Sequence, residues 1–272
     1  MLSEAMPTLS YLDLRYNDFT GSVPAGVWNA HKLNRLDVGG NQLVGSLPSE
    51  VGSLSDMKNI FLNDNMFTGV LPPEVGSLNS VISFSVNGNH LGGTIPSSVA
   101  NWSLLFLLWL YTNQFTGQIP SFIGEWTDTL DDLRLHDNAF HGTIPEEIFH
   151  LTLLQYLDLS QNSLSGTLSS SVGNFSDINM DSILLNQNRL SGTIPLSMGN
   201  LTSLTVIELQ GNAFTGSIPT SLCNLPQRYQ PHFAIIADCS KNQKTGAVQL
   251  QCDCCTACCA VGGTQCASSQ LG

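Results

Sequence analysis

An asparagine returns at positions 17, 41, 65, 89, 113, 138, 162, 188 and 212, at intervals of 24, 24, 24, 24, 25, 24, 26 and 24 residues. Each sits in the same apolar frame: LSYLDLRYNDFTGSVP around Asn17, LNRLDVGGNQLVGSLP around Asn41, LTVIELQGNAFTGSIP around Asn212. A period of this length marks one small unit used many times over, and it displaces the two-domain reading that 272 residues would otherwise invite. Within a unit the apolar residues three and five before the asparagine alternate with polar ones, as Leu12 and Leu14 flank Asp13, which is the period of a strand with one buried face. No unit can bury its leucines alone. Neighbours must therefore stack their strands into a parallel sheet over a shared core.

Other columns keep the same step. The asparagine amide, placed where the strand ends and the chain turns, is expected to bond backbone groups that the turn leaves unpaired, making a ladder through the stack. Four residues on comes a glycine (Gly21, Gly45, Gly69, Gly93, Gly117, Gly142, Gly166, Gly192, Gly216), suited to a conformation other residues resist. Three further on comes a proline, replaced only by Ser169 in the seventh unit. Phe19, Phe67, Phe115, Phe140 and Phe214, two after the asparagine, are expected to fill the turn side as packing.

The template LxxLxLxxNxLxGxIP resembles the plant-type leucine-rich repeat family. That resemblance implies a right-handed α/β solenoid of about nine coils with a concave parallel sheet, a short second strand from the Gly-x-Ile-Pro portion, and an irregular or 3₁₀-like convex side. It further implies a non-catalytic recognition module, in the manner of receptor-like ectodomains or polygalacturonase-inhibiting proteins, with a protein, peptide or carbohydrate as partner. A cell-wall or surface scaffold that binds nothing tightly is the alternative.

Charge narrows the partners. Nine Lys+Arg against 21 Asp+Glu leave a net charge of −12, so nucleic acid is excluded as an expected partner. The longest apolar run, Leu104 to Tyr111, is far short of the roughly 18 residues that cross a bilayer, and the first ten residues lack the basic start and apolar stretch of a secretory signal. Coil one begins near Leu9 with nothing before it to cover its apolar edge. The expectation is a piece of a longer chain whose upstream part carries a cap, signal or membrane anchor.

All eight cysteines follow the repeats: Cys223, Cys239, Cys252, Cys254, Cys255, Cys258, Cys259 and Cys266. Residues 1–222 are read as the solenoid, 223–266 as a disulfide-rich C-terminal cap and 267–272 as a tail. Four bridges allow 105 connectivities. Zinc is the competing reading of the C-x-x-C spacings, but adjacent pairs suit one tetrahedral ion poorly and no histidine is interleaved, so neither metal nor cofactor is expected. Three sequons, starting at Asn101, Asn174 and Asn200, each lie 12 residues after their anchor asparagine, and with the cysteines they point to an extracellular or cell-surface setting. The segment from Ile235 through Cys259 is also similar to the C-terminal region of leucine-rich-repeat proteins predicted from diatoms and related algae.

Side chains six, four and two before each asparagine are expected to project from the concave face. Phe61, Leu107, Trp109 and Tyr111, with Asp132, Arg134, His136 and Asp158 beside them, form the candidate ligand-binding patch, an aromatic centre with a polar rim. No G-x-S-x-G, H-E-x-x-H, G-x-G-x-x-G or Walker sequence occurs. The one triad-like set, Ser160, His136 and Asp158, would stand on an open sheet without an oxyanion donor, so no catalytic residue is assigned.

Overall fold

The computed structural model describes residues 8–225, 233–239, 249–260 and 266–268. They form two compact units, 1–139 and 140–272. In the first, the strands Tyr11–Asp13, Arg35–Asp37, Asn59–Phe61, Ser83–Ser85, Leu107–Trp109 and Asp132–Arg134 pair in that order, all parallel. Their central residues Leu36, Ile60, Phe84, Leu108 and Leu133 stand opposite one another and are buried, which is the shared core that the alternation requires. The second unit repeats the scheme with Tyr156–Asp158, Ser182–Leu184 and Val206–Glu208.

A second ladder forms from the residues that follow each asparagine, as the resemblance implied. Thr20–Gly21, Gln42–Gly45, Met66–Val70, His90–Gly93 and Gln114–Gly117 pair in parallel in the first unit. Ala139–Gly142, Ser163–Thr167, Arg189–Gly192 and Ala213–Phe214 do so around the second. Among the described residues α-helix is confined to Ala25–Trp28 and Thr220–Cys223, and the other arcs are 3₁₀ turns of five or six residues. The proline column explains their start, because each proline is the extended residue before its turn. Where Ser169 replaces it, the serine oxygen accepts from the Ser171 amide at 3.1 Å and its hydroxyl donates to Glu146 at 2.9 Å, restoring a defined start by capping.

The asparagine ladder holds coil to coil. Asn65 Nδ2 donates to the Val38 carbonyl of the previous coil at 3.0 Å and to Leu62 O of its own at 3.2 Å, while its Oδ1 accepts from the Leu43 amide at 2.9 Å. Asn41, Asn89, Asn113 and Asn138 repeat this in the first unit, Asn188 and Asn212 in the second. Asn17, in the first coil, is exposed and donates only within its own turn, to Leu14 O and Arg15 O. The phenylalanine column is buried at Phe67, Phe115, Phe140 and Phe214, whereas Phe19 remains 46% exposed. Beside Phe19 an apolar cavity of about 370 Å³ opens between Leu9, Leu12, Leu14, Val23 and Val27.

All nine glycines of the column have positive φ, from 71° to 97°. The backbone carries a second left-handed column: the residue before every anchor asparagine also has positive φ, whether glycine (Gly40, Gly88, Gly211) or not (Tyr16, Asp64, Thr112, Asp137, Gln161, Gln187). Thr112 at φ 52° carries the largest penalty, since a β-branched side chain crowds the left-handed backbone.

The cysteine-rich segment continues the strand stack of the second unit. Ala234–Ala237 pairs in parallel with Val206–Glu208, Ala257–Cys259 pairs in parallel with Ala234–Ala237, and Cys266–Ser268 closes the edge antiparallel. The eight cysteines form four bridges, Cys223–Cys254, Cys239–Cys258, Cys252–Cys255 and Cys259–Cys266. Asp238 takes over the ladder at this end, accepting from the Gly211 and Asn212 amides at 2.7 and 3.2 Å.

Two outcomes follow. In chemical denaturation, Asn65→Ala is expected to cost about 2–4 kcal/mol because it strands buried carbonyl and amide partners, while Asn17→Ala costs under about 1 kcal/mol. Thr112→Asn, which relieves the left-handed strain without adding chain entropy, is expected to stabilise by about 0.5–1 kcal/mol, and an unchanged melting curve would refute the strain.

Candidate functional site

Strand periodicity aims alternate side chains away from the core, and parallel register then sets them side by side. On the first unit Asp37, Phe61, Ser85, Trp109 and Arg134 form one row across five strands. The row is uneven. Ser83, Ser85 and Asn87 are buried, with Ser85 Oγ donating to Asn87 at 2.7 Å, whereas Phe61 and Trp109 on either side are partly exposed. Two large rings thus flank a coil of small polar residues.

Each ring carries a guanidinium. Arg134 lies 4.8 Å over the Trp109 ring and is held by both oxygens of Asp132, with Nε 2.9 Å from Oδ1 and Nη2 2.8 Å from Oδ2. Arg35 lies 4.7 Å over Phe61 and 5.7 Å from the Tyr11 ring, and donates to Asp37 at 2.9 Å. In both cases the carboxylate stands two residues along the same strand, on the same face, so it fixes the arginine that covers the neighbouring coil's ring. Tyr111 and His136 stack with ring centroids 4.4 Å apart and planes nearly parallel, and Trp109 stands 6.2 Å from Tyr111. Burial, and then the Asp64 charge, push the Tyr111 phenol above its ordinary range, against the opposing pull of Arg134. It therefore stays a neutral hydroxyl well past neutral pH.

Seven of the eight patch residues predicted from sequence, Phe61, Leu107, Trp109, Tyr111, Asp132, Arg134 and His136, fall on this unit, each partly exposed. Asp158 is different. It lies in the second unit, is only 5% exposed, and its Oδ1 accepts from the Ser160 amide at 3.0 Å and the Ser160 hydroxyl at 2.6 Å. Those bonds make Asp158 and Ser160 a local brace along one strand.

The sequence reading missed a notch of about 260 Å³ on the first unit, lined by Arg15, Tyr16, Arg35, Asp37, Gly39, Phe61, Asn63 and Trp109. Gly39 opens it, standing where other coils carry Arg15, Asn63, Asn87 or Tyr111. Asp37 is buried at its base, accepting from Arg35 and from the Gly39 amide at 3.3 Å, with Arg15 Nη1 at 3.8 Å. The columns carry the signal, since Arg35 and Phe61 are diagonal neighbours on adjacent strands.

The sequons sit elsewhere. Asn101, Asn174 and Asn200 are exposed, each the last residue of a 3₁₀ turn. No helix among the described residues is long and apolar enough to cross a membrane.

Residues 8–30, 32–54, 153–175 and 203–225 match the family model described as Leucine Rich Repeat. Among solved structures, a TDR receptor is 27% identical over 85% of this chain and 43% of its own, with a TM-score of 0.72. The plant peptide hormone receptor RGFR1, solved in complex with RGF2, is 26% identical over 86% of this chain and 44% of its own, with a TM-score of 0.61. A plant ice-binding protein, 24% identical over 97% of this chain and 77% of its own at a TM-score of 0.73, shares the fold, and at that identity the likeness speaks to the fold alone. The chain thus spans less than half the length of the two receptors. No curated protein matches it, and the similarity of its tail to algal proteins finds no support there. Repeated coils, asparagine ladder, matched segments and structural neighbours agree on the fold: the chain is a leucine-rich repeat solenoid that resembles plant receptor ectodomains and ends in a disulfide-rich C-terminal cap.

Proposed function

We propose that the protein is an extracellular recognition module that binds an extended peptide across the strand face of residues 1–139. The observation that carries this reading is the pair of guanidinium-covered rings, Arg35 on Phe61 and Arg134 on Trp109, each braced by its own aspartate. Rigid aromatics and arginines are the residues that dominate binding energy, and bracing lowers the entropy lost when a partner docks. The similarity to a peptide hormone receptor supports a peptide over a large globular partner. Four disulfides and three exposed sequons support secretion or display at a cell surface. Glycans on Asn101, Asn174 and Asn200 would leave the strand face uncovered, because those residues end the 3₁₀ arcs.

Panning a random linear peptide library against the oxidised protein tests the reading. Enriched peptides are expected to lose roughly 30-fold in affinity, about 2 kcal/mol, on Trp109→Ala combined with Arg134→Ala. Equal binding to the double variant, with its melting curve unchanged, would remove the strand face from the recognition role and leave a surface scaffold as the better description. Expression through a secretory pathway is expected to yield three mass decrements on enzymatic deglycosylation, one lost with each Asn→Gln change at the sequons.

A further inference from the structure

Three of the four bridges tie separate parts of the cap together. Cys223–Cys254 joins the helix Thr220–Cys223 to the segment after Leu250–Gln251, Cys239–Cys258 joins the chain just past Ala234–Ala237 to the next strand, and Cys259–Cys266 joins that strand to the edge. Cys252–Cys255 ties no elements: its ends lie in one turn, at a sequence separation of 3 against 31, 19 and 7 for the others. The turn is held without it. Before it, Ser217 pairs with Gln251 and the Ile218 amide donates to Gln251 O at 2.8 Å. Inside it, Cys254 is bridged to Cys223, and after it the Thr256 amide donates to Ile235 O at 2.9 Å while the Thr256 hydroxyl accepts from the Ile235 amide at 3.1 Å.

We propose that Cys252–Cys255 is a thiol–disulfide exchange site that accepts electrons from an uncharged or cationic dithiol while the other three bridges keep the cap folded. A bridge and a fold strengthen each other by the same amount, so the bridge that stabilises the fold least is the one the fold protects least from reduction, and loop closure makes that the shortest. Access alone does not choose it, since Cys266 is exposed and Cys239 and Cys258 are half-buried. Access does set the direction of attack: Cys252 is half-buried and Cys255 is 2% exposed. The reductant's thiolate attacks Cys252 Sγ, the bond to Cys255 breaks, and Cys255 leaves as a thiolate that takes up a proton. The reductant's second thiol then attacks its own sulfur in the mixed disulfide, displaces Cys252 as a thiolate that is protonated in turn, and departs as an internal disulfide. Both protons and both electrons of the dithiol thus end on Cys252 and Cys255. Charge selects the reductant. Asp253 stands exposed inside the turn and is the last charged side chain of the sequence, with no Lys or Arg after Lys244, so an anionic thiol is repelled. The proposal uses no residue of the strand-face reading, and the two stand or fall separately.

Treating the full oxidised chain with rising amounts of dihydrolipoamide, quenching in acid, alkylating and locating the label by tandem mass spectrometry tests the proposal. The first label is expected on Cys252 and Cys255 together, with the melting temperature of that species lowered by less than about 3 °C. Dihydrolipoate, the anionic form of the same dithiol, is expected to react about threefold more slowly at low ionic strength, a gap that closes in high salt and in Asp253→Asn. Cys252→Ser combined with Cys255→Ser is expected to be secreted with three bridges and to take up no label at the reductant level that labels the parent. First label on any other pair, release of all eight cysteines in one step, or resistance of the 252–255 bridge until the chain unfolds would overturn the proposal. Equal rates for the two reductants would overturn the charge selection, and a double variant that fails to fold would show that the bridge is a tie the cap requires, which also overturns it.

Discussion

The structure depends on one side-chain amide used once per coil. Each buried anchor asparagine reaches a carbonyl of the preceding coil, a carbonyl of its own, and an amide on the far side of the preceding turn. Three otherwise orphaned backbone groups are satisfied by a single residue, and because the donor and acceptor lie on different atoms, no other side chain of that length can replace it. The ladder also sets the pitch. Coils joined at the turn in this way cannot slip in register, so the strands meet residue for residue, and the rows of side chains on their outer face inherit that order.

Much of this was legible because the responsible residues recur in type, with few exceptions such as Ser169, along the chain. Asparagine, glycine, proline and the alternating leucines announce the coil and its first sheet, while the second ladder and the 3₁₀ arcs were implied only by the resemblance to plant-type leucine-rich repeats. What escaped reading are properties that residue type does not encode. The left-handed residue before each asparagine is tyrosine, threonine, glutamine or aspartate as readily as glycine, so only the backbone reveals it. The bridges could not be chosen among the available pairings without knowing that Ala234–Ala237 and Ala257–Cys259 join the strand stack.

The candidate site was half legible for a related reason. Columns predict which side chains share a face, but not where a long side chain leans. Arg134 folds back over the preceding coil and Arg35 forward over the following one, each steered by an aspartate two residues away. Asp158, in an equivalent column position, has a serine as its neighbour at two residues and turns to it. The identity of that neighbour decides whether a carboxylate braces a cation or closes on a hydroxyl.

The bridge pattern carries a consequence for making the protein. Cys254 and Cys255 are adjacent but belong to different bridges, as are Cys258 and Cys259. Either member of such a couple has a near neighbour that could take its partner, so unassisted oxidation is expected to mix these pairings, whereas the coils before Cys223 carry no cysteine to mispair. A host with an isomerase-equipped secretory route is the proper source of material, and a preparation that looks well folded by its coils can still be heterogeneous at its end.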